Sequence, residues 1–377
     1  MIPLEKGRCG YVPILKGKTG EFDALHVDSR LVRDSATPLV EAQLKLGRRG
    51  VAGTLQIADH LWRALGPKRP FYLDFPRLEG DETIPAKGQP VSVIAHVLAE
   101  CRSSKGAMDA IPVATTGMRP ARTQAISDAA ATDRRGVCLR LKRDEFISAS
   151  KQDLSGTIAG VLGPLGLNAV DIDLMLDLGL VTTGKVTSGG VAQAISRLPQ
   201  IDQWRNLIVA GSVIPPSLKQ FPTNRISTLP RDEWVLWIEL TDMSRTDLPR
   251  LPTYSDYGIQ SPEPPVDLDE IDPRLIRSLM RVSIRYTSED NYLIARGGKA
   301  SLGPEQYVQL CRKLIQHSDF KGAGFSAGDK CIVDVANGTR GPGDQRMWRM
   351  VGASHHVQLV CSQLDQMCGQ LTKSASR

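Results

Sequence analysis

From Tyr11 to about residue 258 the chain alternates between two hydrophobic periods. Short apolar runs, often led by Pro or Gly, bound longer segments whose apolar residues recur every three or four positions. The runs are Tyr11–Lys16, Pro38–Glu41, Pro70–Asp74, Ala110–Ala114, Val137–Leu141, Val170–Asp177, Leu207–Gly211 and Pro252–Asp256. Their length and flanking residues predict strands. The spacing of Val51, Leu55, Ala58, Trp62 and Leu65 predicts a helix with one apolar face, as does that of Val91, Ile94, Leu98 and Cys101. Leu154, Ile158 and Val161 form a third such face, with Asp153 favouring the helix N-terminal end. Val191, Ala194 and Ile195 form a shorter one, and Asp232–Leu240, with Trp234 and Trp237, precedes the last run. Eight alternations at roughly 30-residue spacing predict parallel strands joined by crossover helices. About 250 residues is the size of a closed (β/α)8 barrel of the TIM type, so an α/β fold with residues 1–258 as barrel is expected. A doubly wound open sheet is the alternative. Its dinucleotide fingerprint, Gly-x-Gly-x-x-Gly after the first strand, is not matched by Lys16-Gly-Lys-Thr-Gly-Glu21.

Beyond the eighth run, residues 259–275 are rich in Pro and acid and read as a linker or long loop. Residues 276–377 then read as a small α+β region packing on the barrel. Val282–Thr287 and Tyr292–Arg296 flank Ser288-Glu-Asp-Asn291 and predict a hairpin. Pro304–His317 predicts a helix, Lys330–Val335 a strand, Asn337–Gln345 a Gly-rich loop, and a last helix starts near His355.

The strand ends change the picture. They read Lys16, Glu41, Asp74, uncharged Thr115, Arg140, Asp177, the Gly211-Ser212 pair, and Asp256. In a barrel of this kind these ends share one mouth, where active sites lie. In the sixth run Val170, Ile172, Leu174 and Leu176 alternate with Asp171, Asp173 and Asp177, which places the acids on the inner face. Glu41 and Asp74 are the expected ligands of a metal, Mg²⁺ or Mn²⁺. Asp177, Asp256 and Lys16 are the expected catalytic groups. Arg140 and Lys18 would hold an anionic substrate, with Ser212 and Tyr257 beside them. The competing reading is that the charges pair across the barrel and simply close it. A Schiff-base role for Lys16 needs a desolvated setting, which Lys16-Gly-Lys18 argues against. His355-His356 is the only histidine pair. Neighbours on a helix point apart, so they do not share a metal simply, but His355 could reach the mouth as acid or base. Arg285, Arg296 and Arg349 could add a basic face there.

A net charge of +6 admits a phosphate-bearing partner, nucleic acid among them. Seven cysteines, with no Cys-x-x-Cys, argue against a disulfide framework or zinc knuckle and for buried thiols in a reducing cytoplasm. No signal-like apolar run and no stretch of membrane-spanning length is present, so no membrane partner is expected.

Tyr11-Val-Pro-Ile-Leu-Lys-Gly-Lys-x-Gly-Glu21, Ser255-Asp-Tyr-Gly258, Ile284-Arg-Tyr-Thr287, Ala295-Arg-Gly297, Phe325-Ser-x-Gly-Asp329, Trp348-Arg349 and His355-His356 follow one another along nearly the whole chain. In order and content they resemble the bacterial and phage "beta family proteins". The resemblance implies a TIM-barrel-like fold and occurrence in phage-related gene neighbourhoods. It assigns no catalytic residue. Two functions are therefore carried forward. One is a metal-assisted barrel hydrolase or phosphodiesterase acting on a nucleotide or nucleic acid in antiviral defence. The other is a non-catalytic module that docks a partner protein from the same locus through an exposed Trp348 and nearby arginines.

Overall fold

The computed structural model describes residues 10–44, 54–86, 89–103, 107–182, 184–243, 248–263 and 280–375. Its strands are β1 (Tyr11–Leu15), β2 (Leu39–Glu41), β3 (Pro70–Asp74), β4 (Thr83–Ala86), β5 (Gln89–Ser92), β6 (Asp109–Ala114), β7 (Val137–Lys142), β8 (Ile172–Leu180), β9 (Asn206–Ser212), β10 (Arg225–Pro230), β11 (Thr253–Asp256), β12 (Arg281–Thr287) and β13 (Asn291–Lys299). Strands β1, β11, β9, β8, β7, β6, β3 and β2 close in that order into a parallel barrel. Each of the eight sequence runs falls on one of these strands, the sixth only from Ile172 onward.

Alternation sets the two faces. Val12 and Ile14, Leu39, Tyr72, Ile111 and Val113, Cys138, Met175, Ile208 and Ala210 pack together inside the barrel. Leu15, Val40, Phe71 and Leu73, with Leu139, Leu141, Leu174 and Leu176, face outward into the helix layer. Both faces are dry, which is why the runs are nearly continuously apolar. At the base, Asp173 is held by Arg205 and by the Tyr72 hydroxyl. Asp171 and Val170 stand apart from this pattern. They lie in a 3-10 turn before β8, and Val170 is 59% exposed.

Helices follow the strands at Thr19–His26, Thr54–Leu65, Val93–Ser103, Pro120–Asp133, Lys151–Leu165, Ser188–Ser196 and Asp232–Met243. The helix at Lys151–Leu165 starts on a reciprocal Ser150–Asp153 capping box and ends at Gly166 in the left-handed region. The expected helix face at Val51 lies outside the described residues, and Val91 belongs to β5, paired with β4 ahead of the helix.

The eighth helix comes last. The helix Gln345–Ala375 packs Val357, Val360, Cys361 and Leu364 against Tyr11 of β1 and Tyr254 of β11, beside Trp234 and Trp237. The C-terminal region therefore completes the barrel wall. Between β11 and this helix the chain inserts β12, β13 and the helices Gln306–Leu314 and Ala327–Ala336 around their own core. Strand β10, which precedes β11, joins them in the order β10-β13-β12. An insertion after the eighth strand sits at the C-terminal ends of the strands, over the mouth.

Two expectations in this region are corrected. Lys330–Val335 is helical, because Ser326 caps the Asp329 N–H and Cys331, Ile332 and Val335 pack inward at helical spacing. The last helix starts at Gln345, ahead of His355, with Trp348 and Val351 already on its buried face. Most of the expected linker, from residue 264, lies outside the described residues. Cys101, Cys138, Cys311, Cys331 and Cys361 are buried free thiols, whereas Cys368 is disulfide-bonded, so the expectation of thiols alone does not extend to it. Among the described residues no helix is long and apolar enough to cross a membrane.

Gly20 fixes how closely the last helix approaches the first. A Cβ there would lie 2.3 Å from the Arg346 carbonyl oxygen and 3.0 Å from the Arg349 Cβ. Gly20→Ala is expected to force the helices apart and cost about 1–3 kcal/mol in urea unfolding. An unchanged midpoint would contradict this packing.

Candidate anion-binding site at the barrel mouth

The inward alternation continues past the last apolar layer and brings Lys16, Glu41, Asp74, Thr115, Arg140, Lys142, Asp177 and Tyr257 to the mouth. Arg140, only 2% exposed, occupies the centre. Its Nε donates to Asp177 Oδ2 at 3.0 Å, one terminal nitrogen to Asp74 Oδ2 at 2.7 Å, and the other to Glu41 Oε1 at 3.0 Å and the Tyr257 hydroxyl at 2.7 Å. The Tyr257 hydroxyl in turn donates to Asp177 Oδ2 at 2.6 Å. Lys16 Nζ donates to Glu41 Oε2 at 2.8 Å and lies 4.8 Å from the centre of the Tyr257 ring. Lys142 Nζ reaches Asp177 at 2.6 Å, and Arg122 reaches Asp74 at 3.2 Å.

Burial alone would raise the carboxyl pKa values here. For Asp177 the charges of Arg140 and Lys142 outweigh it and hold the group well below the carboxylate range. For Glu41, Arg140 and Lys16 likewise outweigh burial and lower the pKa. Arg140 is pushed further up by Tyr257 and the acids, against the cost of its burial. These acids stay ionised and hydrogen-bonded, so they are poor proton donors. The metal expected at Glu41 and Asp74 does not fit this donor set. Their oxygens converge on a guanidinium, which a divalent ion would have to displace. Among the described residues no group of three His, Cys, Asp or Glu is arranged to hold a metal ion.

Asp256 and His355 were expected at the mouth and lie elsewhere. The inward residues of β11 and its extension are Ser255 and Tyr257, so Asp256 points out of the barrel toward the last helix. There it accepts from Tyr11 at 2.6 Å, from Tyr254 at 2.9 Å, from the Gly258 N–H at 2.9 Å and from His356 Nε2 at 2.9 Å. Burial raises its pKa, but His356 and these donors lower it to about 2. His356 Nδ1 meets the Thr287 hydroxyl at 2.9 Å. The Thr–His–Asp chain has the connectivity of a nucleophile triad, yet all three residues are fully buried, so it ties the insertion and last helix to the barrel. His355 lies against Asp329 at 2.8 Å and the Thr287 carbonyl at 2.7 Å, stacked on Tyr286 and away from the mouth. Ser212 is buried beneath the mouth, where it donates to the Gln260 carbonyl at 3.3 Å.

Above Arg140 opens a cavity of about 770 Å³. Lys16, Lys18, Arg77, Arg122, Arg140, Lys142, Arg285 and Arg349 line it, against Glu41, Asp74, Glu145 and Glu263. The surplus is concentrated on one side. Lys18 Nζ and the Arg349 guanidinium have no hydrogen-bond or ion-pair partner among the described residues. Arg285 donates to the Ile259 carbonyl at 2.6 Å and, among the described residues, has no carboxylate at ion-pair distance. All three are half-buried. Burial pushes Lys18 down; nearby Glu21 opposes this, and Arg349, Arg285 and Lys16 add to it. Burial, then Arg349, lowers Arg285 to about 10. Glu21 is one buried carboxylate for three cations, and it is already tied to the Lys18 N–H at 3.0 Å.

Lys18 and Arg285 are thus where the sequence expectation put them, with Arg349 beside them. Lys142 and Arg122 were missed. Lys142 was legible, being two residues past Arg140 on the same face. Arg122 comes from a helix, and nothing in its spacing marks it. Trp348 is 3% exposed and stacked on Tyr307 at 4.6 Å, which removes it as an exposed docking residue.

The Beta protein family model matches residues 11–362. The chain belongs to the Beta protein family. The match spans the barrel, the insertion and most of the last helix, so the mouth and its overhang are both parts of the family's unit. No curated protein matches this chain.

Removing the central cation tests the network. Arg140→Met leaves three buried carboxylates facing one another and is expected to cost about 3–5 kcal/mol in urea unfolding. A loss below about 1 kcal/mol would show that the carboxylates do not depend on it.

Proposed function

We propose that this Beta protein is a phosphate-recognising barrel, whose mouth binds a nucleotide or the end of a nucleic acid. The reading rests on one observation: Lys18, Arg285 and Arg349 converge, half-buried and without an ion-paired carboxylate, on a cavity large enough for a small ligand. Holding like charges together with partial desolvation is unfavourable, and an anion relieves both costs. The carboxylate ring beneath serves this purpose by engaging Arg140, Lys16, Lys142 and Arg122, which fixes the floor and leaves the upper cations free. A place in a phage-conflict locus is a finer part of the proposal, carried by the family resemblance, and a hydrolytic activity on the bound phosphate is another, carried by the charged mouth and the basic balance of the chain. A water molecule activated from the exposed rim would have to serve the hydrolytic step, since the inner acids are committed to cations.

Calorimetric titration of the full chain with inorganic pyrophosphate is expected to show one site. Lys18→Met and Arg349→Gln should each weaken it about tenfold, equivalent to about 1.4 kcal/mol. Absence of binding, or wild-type affinity in both variants, would overturn the reading.

A further inference from the structure

We infer that the ligand carries phosphates in series, and that a second basic groove beside the mouth holds those beyond the first. This rests on the reading of the mouth as a phosphate site. On the far side of Arg285 and Arg349 lies a second cavity of about 410 Å³. The two cavities share Pro216, Gln260, Arg285 and Arg349 as walls, so they adjoin. The second adds Lys219, Arg281 and Arg296, and among the described residues its walls carry no Asp or Glu. Arg296 donates to the Phe221 carbonyl, which anchors the backbone there but leaves its charge uncompensated. Across the sheet it pairs in register with Arg225 on one side and Ser283 on the other. Like charges directly opposite one another are unfavourable in a sheet. Arg281, on the edge strand β12, has no side-chain hydrogen-bond or ion-pair partner among the described residues.

A single phosphate engaged by Lys18, Arg285 and Arg349 cannot also neutralise Lys219, Arg281 and Arg296. A chain of phosphates entering the mouth and leaving along β12 and β13 can. Single-stranded nucleic acid and linear polyphosphate both present that chemistry, and backbone-tracking cationic grooves are how single strands are held without sequence preference.

The test compares thymidine 5′-monophosphate, 5′-phosphorylated tetrathymidylate, pyrophosphate and linear tetraphosphate on the full chain, by calorimetry at two salt concentrations. Affinity should rise at least tenfold from monophosphate to tetranucleotide. The salt dependence should steepen by about 0.7 in log–log slope for each added phosphate contact. The double variant Lys219→Ser/Arg281→Ser, whose side chains are exposed and unpartnered, should lose that gain and keep monophosphate affinity within twofold. A gain with tetranucleotide and not with tetraphosphate assigns the groove to nucleic acid, and an equal gain with both assigns it to the phosphate chain alone. No gain with length, or a gain that survives the double variant, overturns the groove. Monophosphate binding that still depends on Lys18 and Arg349 would then leave the mouth reading standing, whereas failure of every probe to bind would overturn both.

Discussion

The guanidinium of Arg140 sets the terms for the rest of the mouth. Three carboxylates brought to one buried point by strand alternation would repel one another and cost several kcal/mol each to desolvate. Arg140 engages all three with separate nitrogens, in the forked geometry that a lysine could not supply. The acids are then committed downward and inward. Lys18 and Arg349 at the rim remain without hydrogen-bond or ion-pair partners among the described residues. The same residue that makes the charged strand ends tolerable thus leaves the positive charge of Lys18, Arg285 and Arg349 uncompensated, and the proposed anion site rests on that charge.

The second constraint is covalent order. The last helix completes the barrel wall, so the insertion between β11 and that helix must leave and return at the mouth. Gly20 lets the helix approach the first one closely, which places Arg349 beside Lys18. Asp256, His356 and Thr287 lock the three parts together in a buried chain. Arg285 follows from the same arrangement, because β12 runs from that locked end back across the cavity. The proposed anion site belongs neither to the barrel nor to the insertion but to the seam between them.

Much of this was legible in the chain. The eight strand runs stand out because parallel strands buried on both faces need continuous apolar residues, and their charged ends are conspicuous against that background. The position of Asp256 was misread because the run was taken to end at its last charge. Ser255 and Tyr257 have the inward parity, and following it would have put Tyr257 in the ring. The strand expected at Lys330–Val335 failed for a different reason: a six-residue apolar stretch satisfies either period, and the Ser326 cap decides it. The role of the last helix was not readable, because more than sixty residues of insertion separate it from the strand it follows. Nor could spacing show that Arg349, one arginine among many, lacks a partner while Arg140 has four.

The most direct measurement locates an anion in the folded protein. In a crystal soaked with tungstate, the account predicts the strongest anomalous peak within hydrogen-bond distance of Lys18 Nζ and the guanidinium groups of Arg285 and Arg349. A strongest peak elsewhere on the surface, or none at those three cations at saturating tungstate, would contradict it.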